Sequence, residues 1–183
     1  MEAGNRQKNL VVLVPEHEFQ SLIDFLADRT ARLVSDPART VVVGIRTRGV
    51  LLAKRLLEIW RAQLGWEMPL GAVDITLYRD DLDRGPRIPI LKGTEIDFPI
   101  DDRLVLLVDD VLHTGRTVRA ALDALSDLGR PLAVRLVVLV DRGGRELPIQ
   151  PDAVALRVEA APEERIEVHL RELDDEDAIV RRK

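Results

Sequence analysis

Apolar positions along the chain change their spacing several times, and each change predicts an element. From about Glu16 to Val34, the residues Phe19, Leu22, Ile23, Phe25, Leu26 and Leu33 recur at helical intervals, and the pattern stops near Pro37. The run TVVVGI at 40–45 is short, wholly apolar and β-branched, as expected of a strand covered on both faces. It leads through RTRG into a second helical stretch, VLLAKRLLEIWRAQLG, whose Gly65 suits a C-terminal cap. Further strands are expected in PLGAVDITLYRDD (69–81), RLVLLV (103–108) and LAVRLVVLV (132–140), with a helix between the last two ending near Leu128-Gly129. Strands alternating with helices predict an α/β domain built on a parallel, doubly wound sheet.

Two stretches depart from this rhythm. Residues 82–102, LDRGPRIPILKGTEIDFPIDD, are rich in Gly, Pro and charge with weak periodicity, and so long a connection in a compact domain is usually a lid or a hairpin flap. After Val140 short strand-like pieces follow without a further helix-strand unit; they are expected to cap the ends of the strands and to finish as an edge strand with a frayed tail. No repeat, low-complexity tract or linker divides the chain, so residues 1–183 are read as one domain.

Composition narrows the function. With 46% hydrophobic residues a sizeable core is within reach, and with no cysteine, disulfides, thiolate zinc sites and thiol nucleophiles are excluded. The apolar run before Pro15 is only five residues long, too short for a signal-peptide core or a membrane span, which reads as a cytoplasmic protein without membrane contact. A net charge of −5 argues against nonspecific coating of nucleic acid, and six aromatic residues leave little for base-stacking platforms.

The chemistry gathers in three polar loops that follow strands: RTRG, DDVLHTGRT and DRGGREL. Ligands in open parallel sheets bind beyond the carboxyl ends of the strands, where these loops begin. In HTGRT, Gly115 permits close backbone approach, Thr114 and Thr117 supply hydroxyls, and the amides of the following helix start converge on one spot. That is a phosphate cradle, although neither a Walker A loop nor GxGxxG is present. Asp109 and Asp110, just before it, suit a pair of ribose hydroxyls and contact with magnesium. Arg46 and Arg48 around Thr47 offer a second anion site, so a sugar phosphorylated at both ends would span the two loops.

LVDDVLHTGRT resembles the phosphoribosyl diphosphate (PRPP) motif of type I phosphoribosyltransferases. VGIRTRGVLLAKRL, DITLYRDDL, RTVRAALDAL and LVDRGGRELPI further resemble the PyrR family, pyrimidine operon attenuation regulators that also act as uracil phosphoribosyltransferases. The resemblance covers most of residues 40–150. It implies the type I fold: a mostly parallel sheet flanked by helices (core about 35–140), a flexible flap (about 79–102), and a small hood from the N-terminal segment and about 141–183. It implies transfer of phosphoribose from PRPP to uracil N1 with magnesium, giving UMP and diphosphate. By the same resemblance Asp109 and Asp110 hold the ribose and its metal, Thr114, Gly115, Arg116 and Thr117 the 5-phosphate, and Thr47, Arg48 and Gly49 the diphosphate. Arg79 closes over the diphosphate, and Asp141, Arg142 and Gly143 belong to the uracil hood. A homodimer or tetramer is implied. His113, inside the motif, is read as a packing or surface residue, as relatives more often carry Tyr there.

The family's regulatory half binds a pyrimidine-operon messenger RNA leader, in response to UMP or UTP, through a basic face. Here the sequence departs from the pattern. Gly144 and Gln150 stand where relatives usually have His and Arg, and the first helix carries Glu16, Glu18, Asp24 and Asp28. Residues 151–183 hold ten acids against six Lys or Arg, whereas phosphate contacts need local positive charge. Arg142 and Arg145 remain as candidate RNA contacts. Two function classes therefore stand: a UMP-forming enzyme with lost or altered RNA control, and an RNA-binding attenuator whose PRPP site serves as a nucleotide sensor.

Overall fold

A computed structural model describes residues 10–75 and 93–183. In chain order it comprises β1 (Leu10–Val14), α1 (Glu16–Ala31), a short 3-10 turn (Pro37–Arg39), β2 (Thr40–Ile45), α2 (Arg48–Leu64), β3 (Leu70–Val73), β4 (Leu104–Leu112), α3 (Arg116–Leu128), β5 (Ala133–Asp141), β6 (Ala153–Arg157), β7 (Arg165–His169), α4 (Arg171–Asp174) and β8 (Ala178–Arg182). Five strands form a parallel sheet in the order β3-β2-β4-β5-β6, and three form an antiparallel sheet in the order β1-β8-β7.

Sequence chemistry explains the boundaries. Every residue of β2 is buried, because α1 and α2 cover one face of the sheet while α3 covers the other. Val42, Leu106 and Leu139 pack with Phe19, Leu52 and Trp60, whereas Val43, Leu107 and Val138 pack with Val118, Ala121 and Leu125. α2 ends at Gly65, whose φ of 68° is the left-handed cap the sequence predicts. It begins at Arg48, two residues before the expected apolar stretch, so Arg48 and Gly49 belong to the helix rather than to the loop. Gly49 is required by packing there: a Cβ would stand 2.4 Å from the Val108 carbonyl oxygen.

Three expectations need correction. The third strand runs on to Leu112, because parallel pairing with β5 continues through Asp109↔Val138 and Leu112↔Asp141 after pairing with β2 has ended at Val108. The parallel sheet gains a fifth strand, β6, beyond the expected limit near residue 140, with Val137, Val138 and Val140 as its neighbours in β5. The chain does not finish as an edge strand: β8 lies between β1 and β7, so the two ends of the described chain pair with each other. Of the expected second strand only Leu70–Val73 is β, and Thr76–Asp81 lie outside the described residues. The expected flap is divided in the same way: 79–92 lie outside the described residues, and the remainder is fastened to the core by the Ala72↔Glu95 bridge and by Ile100, 1% exposed.

The strand order reverses between β2 and β4, with α2 on one face and α3 on the other. Such a switch point opens a crevice at the carboxyl ends of those two strands. The two loops with anion-binding composition, 46–49 and 113–117, sit there. Among the described residues no helix is long and apolar enough to cross a membrane.

Candidate active site

The acidic pair lies inside β4. Asp109 is 6% exposed, and its Oδ1 accepts the Asp110 amide at 3.0 Å, while Asp110, half-buried, accepts the Val111 amide at 2.9 Å. Burial, and next the neighbouring Asp110 charge, push the Asp109 carboxyl well above the usual carboxylate range. A ligand that donates hydrogen bonds or brings positive charge relieves this repulsion.

The cradle follows directly. Gly115, at φ 92°, caps α3, whose first amides lack intrahelical partners. Thr114 Oγ1 accepts the Arg116 amide at 3.3 Å, and its carbonyl accepts the amides of Glu146 and Leu147 at 3.0 and 3.1 Å. A Cβ at Gly115 would meet Ile149 and Leu147 at 3.4 Å, so the 141–149 loop packs directly behind the cradle. Thr117 and Arg116 are exposed, and the Arg116 guanidinium pairs with Glu146 at 2.7 Å.

In the 46–49 loop the Arg46–Thr47 peptide is cis. Arg46 donates to the Gly93 carbonyl at 2.6 Å and pairs with Glu95 at 2.6 Å. Thr47 is exposed, and Arg48 turns toward the small sheet, where its Nη2 donates to both carboxylate oxygens of Asp174 at 3.0 Å each. Arg48 and Asp110 line one cavity of about 390 Å³, whose other wall includes His169, Asp174 and Arg182. A second depression of about 620 Å³, lined by Gln20, Arg55, Ile59, Gln63 and Glu172, holds none of the expected site residues.

The third loop is internally wired. Asp141 Oδ1 accepts the Gly143 amide at 3.0 Å and pairs with Arg145 at 2.7 Å. Arg145 also donates to the carbonyls of Ile149 and His113, both at 2.8 Å, and Arg142, 7% exposed, donates to the Ala161 carbonyl at 3.2 Å. Both arginines, the candidate RNA contacts, turn donors inward and brace loops. His113 sits between the second and third loops, its Nδ1 3.5 Å from Arg142. Burial, then the Arg142 charge, lower its pKa from the ordinary imidazole value. Gly144, at φ 72°, leaves the space that this ring fills, since a Cβ there would lie 3.0 Å from Nε2.

The structure thus brings Asp109, Asp110, Thr114, Gly115, Thr47 and Arg48 to the ends of β2 and β4, and Asp141, Arg142 and Gly143 to the end of the adjacent β5. Arg79 lies outside the described residues. Sequence reasoning missed Asp174, Glu146 and Glu95 as partners of the loop arginines. Only Glu146 carried a signal, lying in the DRGGREL block; Asp174 sits in an acidic stretch that reads as a solvated tail.

Comparison with known proteins agrees with this geometry. The Phosphoribosyl transferase domain family matches residues 15–171. The Bifunctional protein PyrR of Syntrophobacter fumaroxidans is 45% identical over 180 residues, 98% of this chain and 94% of the relative. The PyrR of Alkaliphilus metalliredigens is 55% identical over 140 residues, 76% of this chain and 77% of the relative. Among solved structures, a hypoxanthine phosphoribosyltransferase from Staphylococcus aureus superposes with a TM-score of 0.67 at 20% identity, covering 98% of this chain and 96% of that one, which shows the shared fold. On the family match over residues 15–171 and these identities, this chain belongs to the PyrR family of the phosphoribosyl transferase domain proteins.

Proposed function

We propose that this protein transfers the phosphoribosyl group of PRPP to uracil N1, giving UMP and diphosphate, and that it serves UMP- or UTP-responsive attenuation of pyrimidine genes. The observation that carries the reading is the Asp109–Asp110 pair, with Asp109 buried, running into the Gly115 cradle at the switch point of the sheet.

In the reaction the bond from ribose C1 to the diphosphate oxygen breaks, the bond from C1 to uracil N1 forms, and the N1 proton is lost. Positive charge develops on the ribose, so stabilisation of charge and placement of both reactants carry the catalysis. Asp109 and Asp110 accept the ribose hydroxyls, and the charge they keep near the ring favours its cationic character. Thr114, Gly115, Arg116 and Thr117 hold the 5-phosphate against the α3 amides and so fix C1 relative to the third loop. Thr47, Arg48 and Gly49 face the diphosphate; Arg79 is assigned to it from the family resemblance alone. Asp141, Arg142 and Gly143 frame the base, with the Asp141–Arg145 pair keeping that loop rigid.

Magnesium fits this donor set. No group of three or more His, Cys, Asp or Glu forms a metal cage among the described residues, and of the acidic pair Asp110 lines the cavity beside the second anion loop, which Glu167, His169 and Asp174 also line. One or two carboxylates plus substrate phosphates is the usual arrangement for this ion, so Asp110 and Asp109 would hold it together with PRPP. When bound, it neutralises diphosphate charge as the leaving group departs.

The test is UMP formation from PRPP and labelled uracil with magnesium, alongside hypoxanthine, guanine and orotate. Uracil-specific turnover is expected; turnover of another base alone, or of none, overturns the assignment. Asp110→Asn is expected to lower kcat/KM for PRPP by about a hundredfold, as loss of a charge that acts on the reacting centre does. Unchanged kinetics in that variant would remove the ribose-site role.

A further inference from the structure

We propose that Asp174 is a positioning residue for the anion-binding loop, holding the Arg48 guanidinium at the cavity for the diphosphate; this rests on the diphosphate assignment of residues 47–49. The contact joins distant parts of the chain, 126 residues apart, across the cavity that Asp110 also lines. Both oxygens of Asp174 receive the same terminal nitrogen of Arg48, at 3.0 Å each, which leaves the guanidinium's remaining donors uncommitted to this carboxylate. Arg48 Nε is buried and has no partner.

A carboxylate facing a loop arginine has two physical readings. It orients the arginine for an anionic ligand, or it occupies the arginine and must leave when the ligand arrives. Rigidity decides between them. Asp174 Oδ2 also accepts the Leu170 amide at 2.9 Å, and the amides of Leu173 and Asp174 both bond the Leu170 carbonyl at 2.8 Å. Leu170 itself is fully buried. Seven residues along α2, Arg55 bonds Glu172 at 2.6 Å and Asp177 at 2.7 Å, so the segment carrying Asp174 is clamped to the same helix on both sides of it. A carboxylate fixed from three directions is a fixed support and not a displaceable occupant. Arg48 has a flexible stem with 35% of its side chain exposed, and Asp174 removes the entropy it would otherwise lose on gripping an anion.

Asp174→Asn keeps an acceptor for the Leu170 amide and removes the charge from Arg48. Steady-state kinetics and calorimetry with inorganic diphosphate plus magnesium are read on wild type, on this variant and on Glu172→Gln, which removes a charge from the same segment away from the cavity while keeping an acceptor for Arg55. The expected result is a rise of about tenfold in KM for PRPP and in Kd for diphosphate in Asp174→Asn, with uracil KM and kcat within about twofold of wild type. Glu172→Gln leaves both PRPP parameters unchanged. An unchanged or lower KM and Kd in Asp174→Asn overturns the proposal, the lower value marking Asp174 as a competing anion. Should wild type bind diphosphate but make no UMP, the uracil reading fails while calorimetry still decides the role of Asp174. Wild type that binds no diphosphate sinks the positioning role.

Discussion

Asp109 is the residue whose environment conflicts most with its charge, and this conflict predicts opposite effects on stability and function. Burial and the Asp110 carboxylate raise its pKa in the folded chain, so between the ordinary value of 3.8 and that raised value the folded protein holds a proton that the unfolded chain has released. Stability from this group is complete below the ordinary value and is lost as pH rises through the raised one. Asp109→Asn keeps an acceptor for the Asp110 amide, offers a donor toward the Asp110 carboxylate and removes the buried charge. It is expected to melt about 2–4 °C higher at pH 8, with the gap closing toward pH 4, while losing most turnover. A melting gap that does not change with pH would show that Asp109 has the same pKa in the folded and unfolded chains. The sequence announces this residue, because an apolar strand running into two adjacent carboxylates has no other economical explanation. It does not announce Asp174 or Glu95, whose partners are set by tertiary approach and leave no trace in local spacing.

At the scale of elements, α2 is the hinge between site and small sheet. Arg55, with 16% of its side chain exposed, lies over the Phe19 ring at 5.8 Å and pairs with both Glu172 and Asp177. Its guanidinium loses hydration in this position, but the two carboxylates outweigh that and hold it charged. The Arg55 hydrogen bond lowers the pKa of Glu172; burial pushes that of Asp177 up, and its bonds to Arg55 and the Arg171 amide bring it below the ordinary value. Depressed carboxylates contribute stability at neutral pH that is lost as pH falls below about 4. Arg55→Leu should therefore cost about 1–3 kcal/mol at pH 7, less than a fully buried pair because Glu172 is 41% exposed, and the difference from wild type should narrow by pH 3. Chemical denaturation at the two pH values measures this, and an equal cost at both would assign the effect to packing against Phe19. The helix itself was legible from its apolar spacing and Gly65. Its start at Arg48 was not, since an arginine and a glycine mask the first turn, and only the close packing of Gly49 on Val108 explains the glycine. The length of β4 was hidden for a similar reason: aspartates read as a loop, and only pairing with β5 keeps them in the strand.

At the scale of the whole molecule, the small sheet is built from both ends of the described chain yet has no core of its own. Val14, Ile166, Val168 and Ile179 join one continuous cluster with Phe19, Leu56 and Trp60, which also packs the parallel sheet. Apolar spacing alone does not reveal this, because β1, β7 and β8 are five residues each and β1 becomes a strand only through pairing with β8 across more than 160 positions. A shared core means shared cooperativity: removing contacts at one sheet should lower the stability of the other. Ile179 is fully buried in β8, between β1 and β7, so Ile179→Ala deletes apolar volume where neighbours on both sides are held by backbone pairing and collapse little. A cost of about 3–4 kcal/mol is expected. The decisive readout is coincidence of probes. Trp60, buried and bonded to the Ala27 carbonyl at 3.0 Å, reports the α1–α2 layer, while far-ultraviolet dichroism reports both sheets and all helices. One common midpoint, shifted equally by both probes, is the expected outcome. A variant in which tryptophan fluorescence keeps the wild-type midpoint while part of the dichroism melts early would make the small sheet a separately unfolding unit, and Asp174 could not then be the rigid support that holds Arg48.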